Sequence, residues 1–269
     1  MRCSVEYLGA AYAGFQRQPG RVTVQAMLEM AIQKITGAES TVRGSGRTDA
    51  GAHALAQTVT FSTDSGLTAQ QLGRALNAVL PRDIAVSEAA DVDPSFNPRH
   101  DAIRRTYRYM IWNREVRSPF HEGRAAHVKR RLDVTAMDGA LSTLIGSHDY
   151  SSFVPVRLEA TRRRTIYDAR CWREGDLVLV ELTGSSFMRQ MVRAIVGTLI
   201  WVGLGSCTRQ EFAEIVRSRD RLRAGDTAPA CGLYLHRVEY AIERHTNMPI
   251  NAAESESSMM TAAGHEERL

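Results

Sequence analysis

Strand-like and helix-like periodicities interleave along this chain from Arg2 to Tyr240, which restricts it to a fold in which helices lie across sheet strands. Residues Arg2–Leu8 read as a strand, and a turn through Gly9 leads to a helix over Val24–Ile35. There Val24, Met27, Leu28, Ala31 and Ile35 recur at helical spacing behind Thr23, a residue suited to capping. Alternation marks Leu55–Phe61 as a strand, Ala69–Leu80 as a helix stopped by Pro81, and Ile84–Val92 as another strand. Beyond Pro94 and Pro98, the extended stretch Ile103–Trp112 puts Ile103, Arg105, Tyr107, Tyr109 and Ile111 on one face. The second half continues with a helix over Val134–Ile145, strands at Ile166–Arg173 and Leu177–Thr183, and a long helix over Phe187–Val202. A short helix at Arg209–Arg217 and a strand at Gly232–Tyr240 follow. The expected architecture is α+β: two domains of similar build over residues 1–100 and 101–243. From residue 244 the composition turns to Ala, Glu, Ser and Met without apolar period, and reads as a disordered tail, 244–269.

Charge is distributed unevenly. The net charge of the 269 residues is +4, but six of the 30 acids and only two of the 34 bases lie from Val238 onward. Residues 1–237 therefore hold 32 bases and 24 acids, a net of +8. A basic body suits a polyanion, whose phosphates release counterions on contact, although the same balance also serves solubility. No apolar run is long enough to span a bilayer, and MRCSVEYLGA lacks the order of a signal peptide, so a cytoplasmic protein is expected. Cys3, Cys171, Cys207 and Cys231 are scattered singly without metal-ligand spacing, so neither metal nor organic cofactor is expected.

Three segments carry chemistry. In RGSGRTDAGAHA, Arg43–Ala54, three glycines allow a close backbone turn, yet no Lys-Ser/Thr follows Gly51 as in a P-loop, and the glycine spacing is not that of a dinucleotide site. Asp49 in that turn, between Arg47 and His53, suits an ionised nucleophile or base favoured by neighbouring cations; an Asx-turn is the simpler alternative. In RRTYRYMIW, Arg104–Trp112, arginines interleaved with aromatics suit a surface that stacks bases and holds phosphates, or else a strand with Tyr107 and Tyr109 in the core.

In SFMRQMVRAIVGTLIWVGLG, Ser186–Gly205, a helical wheel gives a core stripe of Met188, Met191, Val192, Ile195, Leu199 and Val202. Arg189 and Arg193 fall beside it with Val196 and Ile200. An arginine among such residues needs an acidic partner unless it snorkels to the surface.

Together these segments resemble the tRNA pseudouridine synthase A family. The resemblance rests on GRTDAGAHA at Gly46–Ala54, RRTYRY at Arg104–Tyr109, SFMRQMVRAIVG at Ser186–Gly197 and ACGLYL at Ala230–Leu235. YLGAAYAGFQRQ, TVQAMLE and HDYSSF (Tyr7–Gln18, Thr23–Glu29 and His148–Phe153) support it in the family's order. It implies the pseudouridine synthase fold, with largely antiparallel sheets and an active-site cleft between the two domains. It also implies isomerisation of uridine to pseudouridine at positions thirty-eight to forty of the tRNA anticodon stem-loop, by a homodimer.

Carried over by position, the resemblance makes Asp49 the catalytic aspartate, Tyr107 the tyrosine against the target base, and Arg193 the aspartate's partner. Leu233 becomes an apolar wall of the uracil pocket, and Arg47 a contact to RNA that helps flip the nucleotide. The chain departs from the family at Phe96-Asn97-Pro98-Arg99, where Phe-His-Ala-Arg is usual, and at Phe15, where tryptophan is common. The rival reading is a non-catalytic RNA-binding module of the same fold, for which a carboxylate among phosphates has no use.

Overall fold

The structure is a computed structural model that describes residues 1–155 and 161–241; the tail assigned from residue 244 lies outside the described residues. The strands are β1 (Arg2–Tyr7), β2 (Arg43–Gly44), β3 (His53–Thr60), β4 (Ile84–Ala90), β5 (Ala102–Trp112), β6 (Ala126–His127), β7 (Gly146–Asp149), β8 (Arg163–Glu174), β9 (Leu177–Gly184) and β10 (Leu233–Tyr240). The helices are α1 (Val24–Thr36), α2 (Ala69–Val79), α3 (Val134–Leu141), α4 (Met191–Gly203) and α5 (Arg209–Ser218). Helix starts follow the local chemistry. Thr23 accepts from the Ala26 amide to open α1, and reciprocal Thr68–Gln71 and Thr208–Glu211 capping boxes open α2 and α5.

The two halves of the chain build one continuous sheet rather than separate ones. Its order is β4-β1-β3-β10-β5-β9-β8-β7, with β2 added to β3 and β6 to β5. The pairs β10–β3 and β5–β6 are parallel and the other neighbours antiparallel. The last described strand thus lies between the two halves: Tyr234 is in register with His53 on one side, and Leu235 with Tyr107 on the other. The α2 helix packs on β4, whereas α3, α4 and α5 form a cluster at the other end that reaches β8 and β5. The core runs through both halves, from Val5, Val24 and Leu72 to Tyr109, Leu182, Ile195 and Leu199, all essentially inaccessible. The four cysteines are free, and burial raises the thiol pKa of each.

Two expectations need correction. The helix predicted over Phe187–Val202 begins only at Met191, because Gln190 adopts a left-handed φ of 61° and caps it; Arg189 therefore precedes the helix and is exposed. Ile103 is 47% exposed, unlike Arg105, Tyr107, Tyr109 and Ile111 on the same strand. Ile103 falls at a register shift against β10, between the pairs Arg104–Glu239 and Ala102–Tyr240, and β9 ends at Gly184 opposite Arg105, so the alternation does not carry through it.

Candidate active site

Asp49 sits in the connection between β2 and β3, and the chain around it is tied from several directions. The Gln57 amide, buried in β3, accepts from Ser45 Oγ at 2.6 Å and donates to the Gly46 carbonyl at 2.8 Å. Thr48 Oγ1 pairs with Tyr7 Oη at 2.8 Å, and its carbonyl accepts from the Phe15 amide at 3.2 Å. Ala52 N–H then closes a turn onto the Asp49 carbonyl at 3.0 Å, with Gly51 in the left-handed region at φ 80°. Gly14, at φ 99°, lets the neighbouring loop approach: a Cβ there would stand 2.7 Å from the Thr48 carbonyl oxygen. Glycine and hydrogen bonds together give Asp49 a preorganised backbone.

Its counter-charge comes from the other half of the chain. Arg193 Nη1 donates to Asp49 Oδ2 at 2.8 Å, with side-chain exposures of 14% and 20%. Arg193 is in turn aimed by its Nε, which donates to the Ala228 carbonyl at 2.7 Å, while its own carbonyl accepts from the Ala228 amide at 3.1 Å. The guanidinium fork is thus shared between a backbone clamp and the carboxylate. His53, by contrast, is no cation for Asp49. Its ring is buried, with Nδ1 accepting from the Gly9 amide at 2.9 Å and Nε2 left to donate to the Cys231 carbonyl at 3.1 Å. Burial lowers its pKa, so it serves as a neutral strut between three segments, stacked on Tyr234 at 4.6 Å.

Tyr107 comes up beside the Asp49 turn, where a Cβ on Gly46 would lie 3.6 Å from its hydroxyl. Its ring meets Phe187 edge-on at 5.0 Å. Burial pushes its pKa up to about 12, against the pull of Arg105 and with a contribution from the Asp49 charge, so the phenol is neutral at working pH. Arg47 is exposed, two residues from Asp49. Leu233 is buried at the start of β10, opposite Tyr109 on β5.

A model of the family described as tRNA pseudouridine synthase matches residues 3–101 and 140–241. The chain belongs to the tRNA pseudouridine synthase family. Curated relatives agree. A protein named tRNA pseudouridine synthase A from Thermoanaerobacter sp. (strain X514) is 43% identical over 237 residues, covering 88% of this chain and 97% of that protein. Its namesake from Acetivibrio thermocellus is also 43% identical over 237 residues, with the same coverage of both chains. That from Brevibacillus brevis is 42% identical over 241 residues, covering 89% of this chain and 99% of its own.

In this member of the tRNA pseudouridine synthase family, one buried group went unassigned by sequence reasoning. Arg105, 7% exposed, donates to the Ser45 carbonyl through Nε and Nη2, to that of Arg99 at 2.6 Å, and to that of Ser185 at 3.0 Å. Ser45 precedes the Asp49 turn and Ser185 precedes Phe187, so one guanidinium ties both walls of the site. The signal was present in the alternation of β5, which put an arginine on the face of Tyr107, Tyr109 and Ile111. What the sequence lacked was any sign that its partners are carbonyls rather than a carboxylate. The unusual Asn97-Pro98 leaves this cage intact: Asn97 Oδ1 accepts from the Arg99 and His100 amides, holding the loop that presents the Arg99 carbonyl. Phe15, in place of tryptophan, packs 6.4 Å from Tyr7 beneath the same turn.

Proposed function

We propose that this chain isomerises uridine to pseudouridine in tRNA, at positions thirty-eight to forty of the anticodon stem-loop, with Asp49 as the one carboxylate the reaction needs. The observation that carries this reading is the Asp49–Arg193 ion pair beside the Tyr107 ring. Uracil leaves C1′ as a stabilised anion, turns in the pocket and bonds C1′ through C5, which gives up its proton while N1 gains one; nothing is oxidised or hydrolysed. Asp49 acts either as nucleophile, adding to the sugar or base, or as base, taking a sugar proton to give a glycal.

Arg193 sets a cation 2.8 Å from the carboxylate and fixes the direction of its free oxygen. Tyr107, backed by Phe187, offers a face against which the detached ring can be held, and Leu233 forms an apolar wall. Arg47, exposed near the turn, engages the RNA as the target nucleotide flips out, at a cost of a few kcal/mol. The substrate is tRNA, the protein acts in the cytoplasm, and two subunits hold it as a homodimer. No described helix is long and apolar enough to cross a membrane. A binding module would have no use for an Arg-paired aspartate in a preorganised turn. The test is pseudouridine mapping in tRNA incubated with the purified protein: product at the three anticodon-arm positions is expected, and its absence refutes the reading.

A further inference from the structure

The HDYSSF motif takes no part in the site around Asp49. It begins on β7, the edge strand five places from β3 in the sheet order. At about 4.8 Å per strand, this edge stands roughly 24 Å from the strand that follows Asp49. There β7, β8 and the end of α5 surround a cleft of about 180 Å³ whose lining includes Ser147, His148, Asp149, Arg163, Arg217 and Arg219. The fold holds each arginine in place. Arg163 Nη1 donates to the Ser147 carbonyl at 3.1 Å and Arg217 Nε to that of Ala213 at 3.2 Å. Arg219, at a left-handed φ of 55°, caps α5 with its Nε 3.6 Å from Asp149 Oδ2.

The opposing charge is too small to balance them. Asp149 Oδ1 already accepts from the Ser151 amide at 2.9 Å and from its hydroxyl at 2.5 Å. Burial opposes its ionisation, yet these bonds and the charges of Arg219 and Arg162 hold its pKa below the ordinary carboxylate value. The carbonyl end of α5 adds about half a negative charge. Three guanidinium groups against these two leave a net of about +1.5 before His148 is counted. Among the described residues no Phe, Tyr or Trp lines the cleft, while its arginine forks suit phosphate oxygens.

We propose that this cleft binds a backbone phosphate of the substrate tRNA outside the stem-loop that carries the target uridine. The proposal rests on the tRNA reading above, and RNA is favoured over an acidic protein because the substrate already supplies phosphates to a body of net charge +8.

The experiment compares the double variant R163A/R217A with wild type and with R74A/R82A, a charge-matched control whose exposed arginines lie at the opposite, α2–β4 end of the sheet. Affinity for full-length tRNA and for the isolated anticodon stem-loop is measured across a range of KCl concentrations, alongside the single-turnover rate at saturating RNA. The expected result is about a tenfold weaker Kd for full-length tRNA in R163A/R217A, with a salt slope shallower by about one to two. Its stem-loop affinity and saturated rate should stay within about twofold of wild type, and the control should lose less affinity. A change in full-length Kd below about threefold, a loss equal to the control's, or an equal loss with the stem-loop overturns the proposal. Failure of the tRNA reading itself is separate, because wild type would then form no pseudouridine.

Discussion

Arg193 reaches across 144 positions of sequence to place Nη1 2.8 Å from Asp49 Oδ2. The pair joins a glycine turn beside β3 to a helix of the other half. Neither residue is held by the other alone, since Arg193 is also fastened to Ala228 and Asp49 sits in a turn closed by Ala52.

If the carboxylate is the reacting group, replacing it by an isosteric amide should remove chemistry and little else. Asp49→Asn should lower single-turnover pseudouridine formation by at least about a thousandfold, with tRNA affinity within about threefold of wild type. Turnover within tenfold of wild type would exclude Asp49 as nucleophile or base.

Removing the counter-charge should slow the chemical step. Arg193→Met takes away the cation beside Asp49 and should lower the single-turnover rate at saturating tRNA by at least about tenfold. Arg193→Lys keeps charge but loses the fork and should lose less. An unchanged saturated rate with weakened RNA binding would mean that Arg193 serves phosphate instead.

The Tyr107 hydroxyl has no hydrogen-bond partner among the described residues, although its ring is buried. An unpaired hydroxyl at the accessible edge of a buried ring is available to substrate. Tyr107→Phe should therefore fold normally, with a melting temperature within about 3 °C of wild type, and bind tRNA, but react at least about tenfold more slowly in a single turnover. An undiminished rate would assign the ring, not the hydroxyl, to the reaction.

Arg105→Met should leave the carbonyls of Ser45, Arg99 and Ser185 without their donor. A stability loss of about 3 kcal/mol is expected by chemical denaturation. Arg105→Lys, which keeps the charge and three donors, should fold with less loss yet still turn over at least about tenfold more slowly, because the turn before Asp49 and the loop before Phe187 lose a common tie. A Lys variant of wild-type rate would make Arg105 a stability element only.

His53 predicts a pH-dependent stability. Burial holds its folded pKa below the ordinary 6.5, so the unfolded chain binds this proton first. Its contribution is full above about pH 6.5 and is lost as pH falls from there through the folded value, where imidazolium Nδ1–H would face the Gly9 N–H. The stability difference between wild type and His53→Gln should shrink on acidification from pH 7 to 5.5; a difference constant with pH would show that His53 is not neutral in the fold.

What the sequence determined by itself was local. The cap at Thr23, the stop at Pro81 and the alternation along β5 from Tyr107 are encoded within a few residues, because a hydrogen bond to the next turn or a repeat of buried faces needs no distant partner. The candidate catalytic residues were legible for a different reason: the motifs resembled a family, and the apolar neighbours of Arg193 demanded an acid.

The resemblance named Asp49 as that acid, but only tertiary structure brings the two to 2.8 Å, since nothing local relates Asp49 to a residue 144 positions away. It also decided that β10 enters between the two halves, that Gln190 delays α4 to Met191, and that His53 is a neutral strut rather than a cation. Arg105 shows the physical reason most clearly. Its side chain could be placed on the buried face from periodicity, but its partners are backbone carbonyls, which every residue carries and no sequence pattern distinguishes.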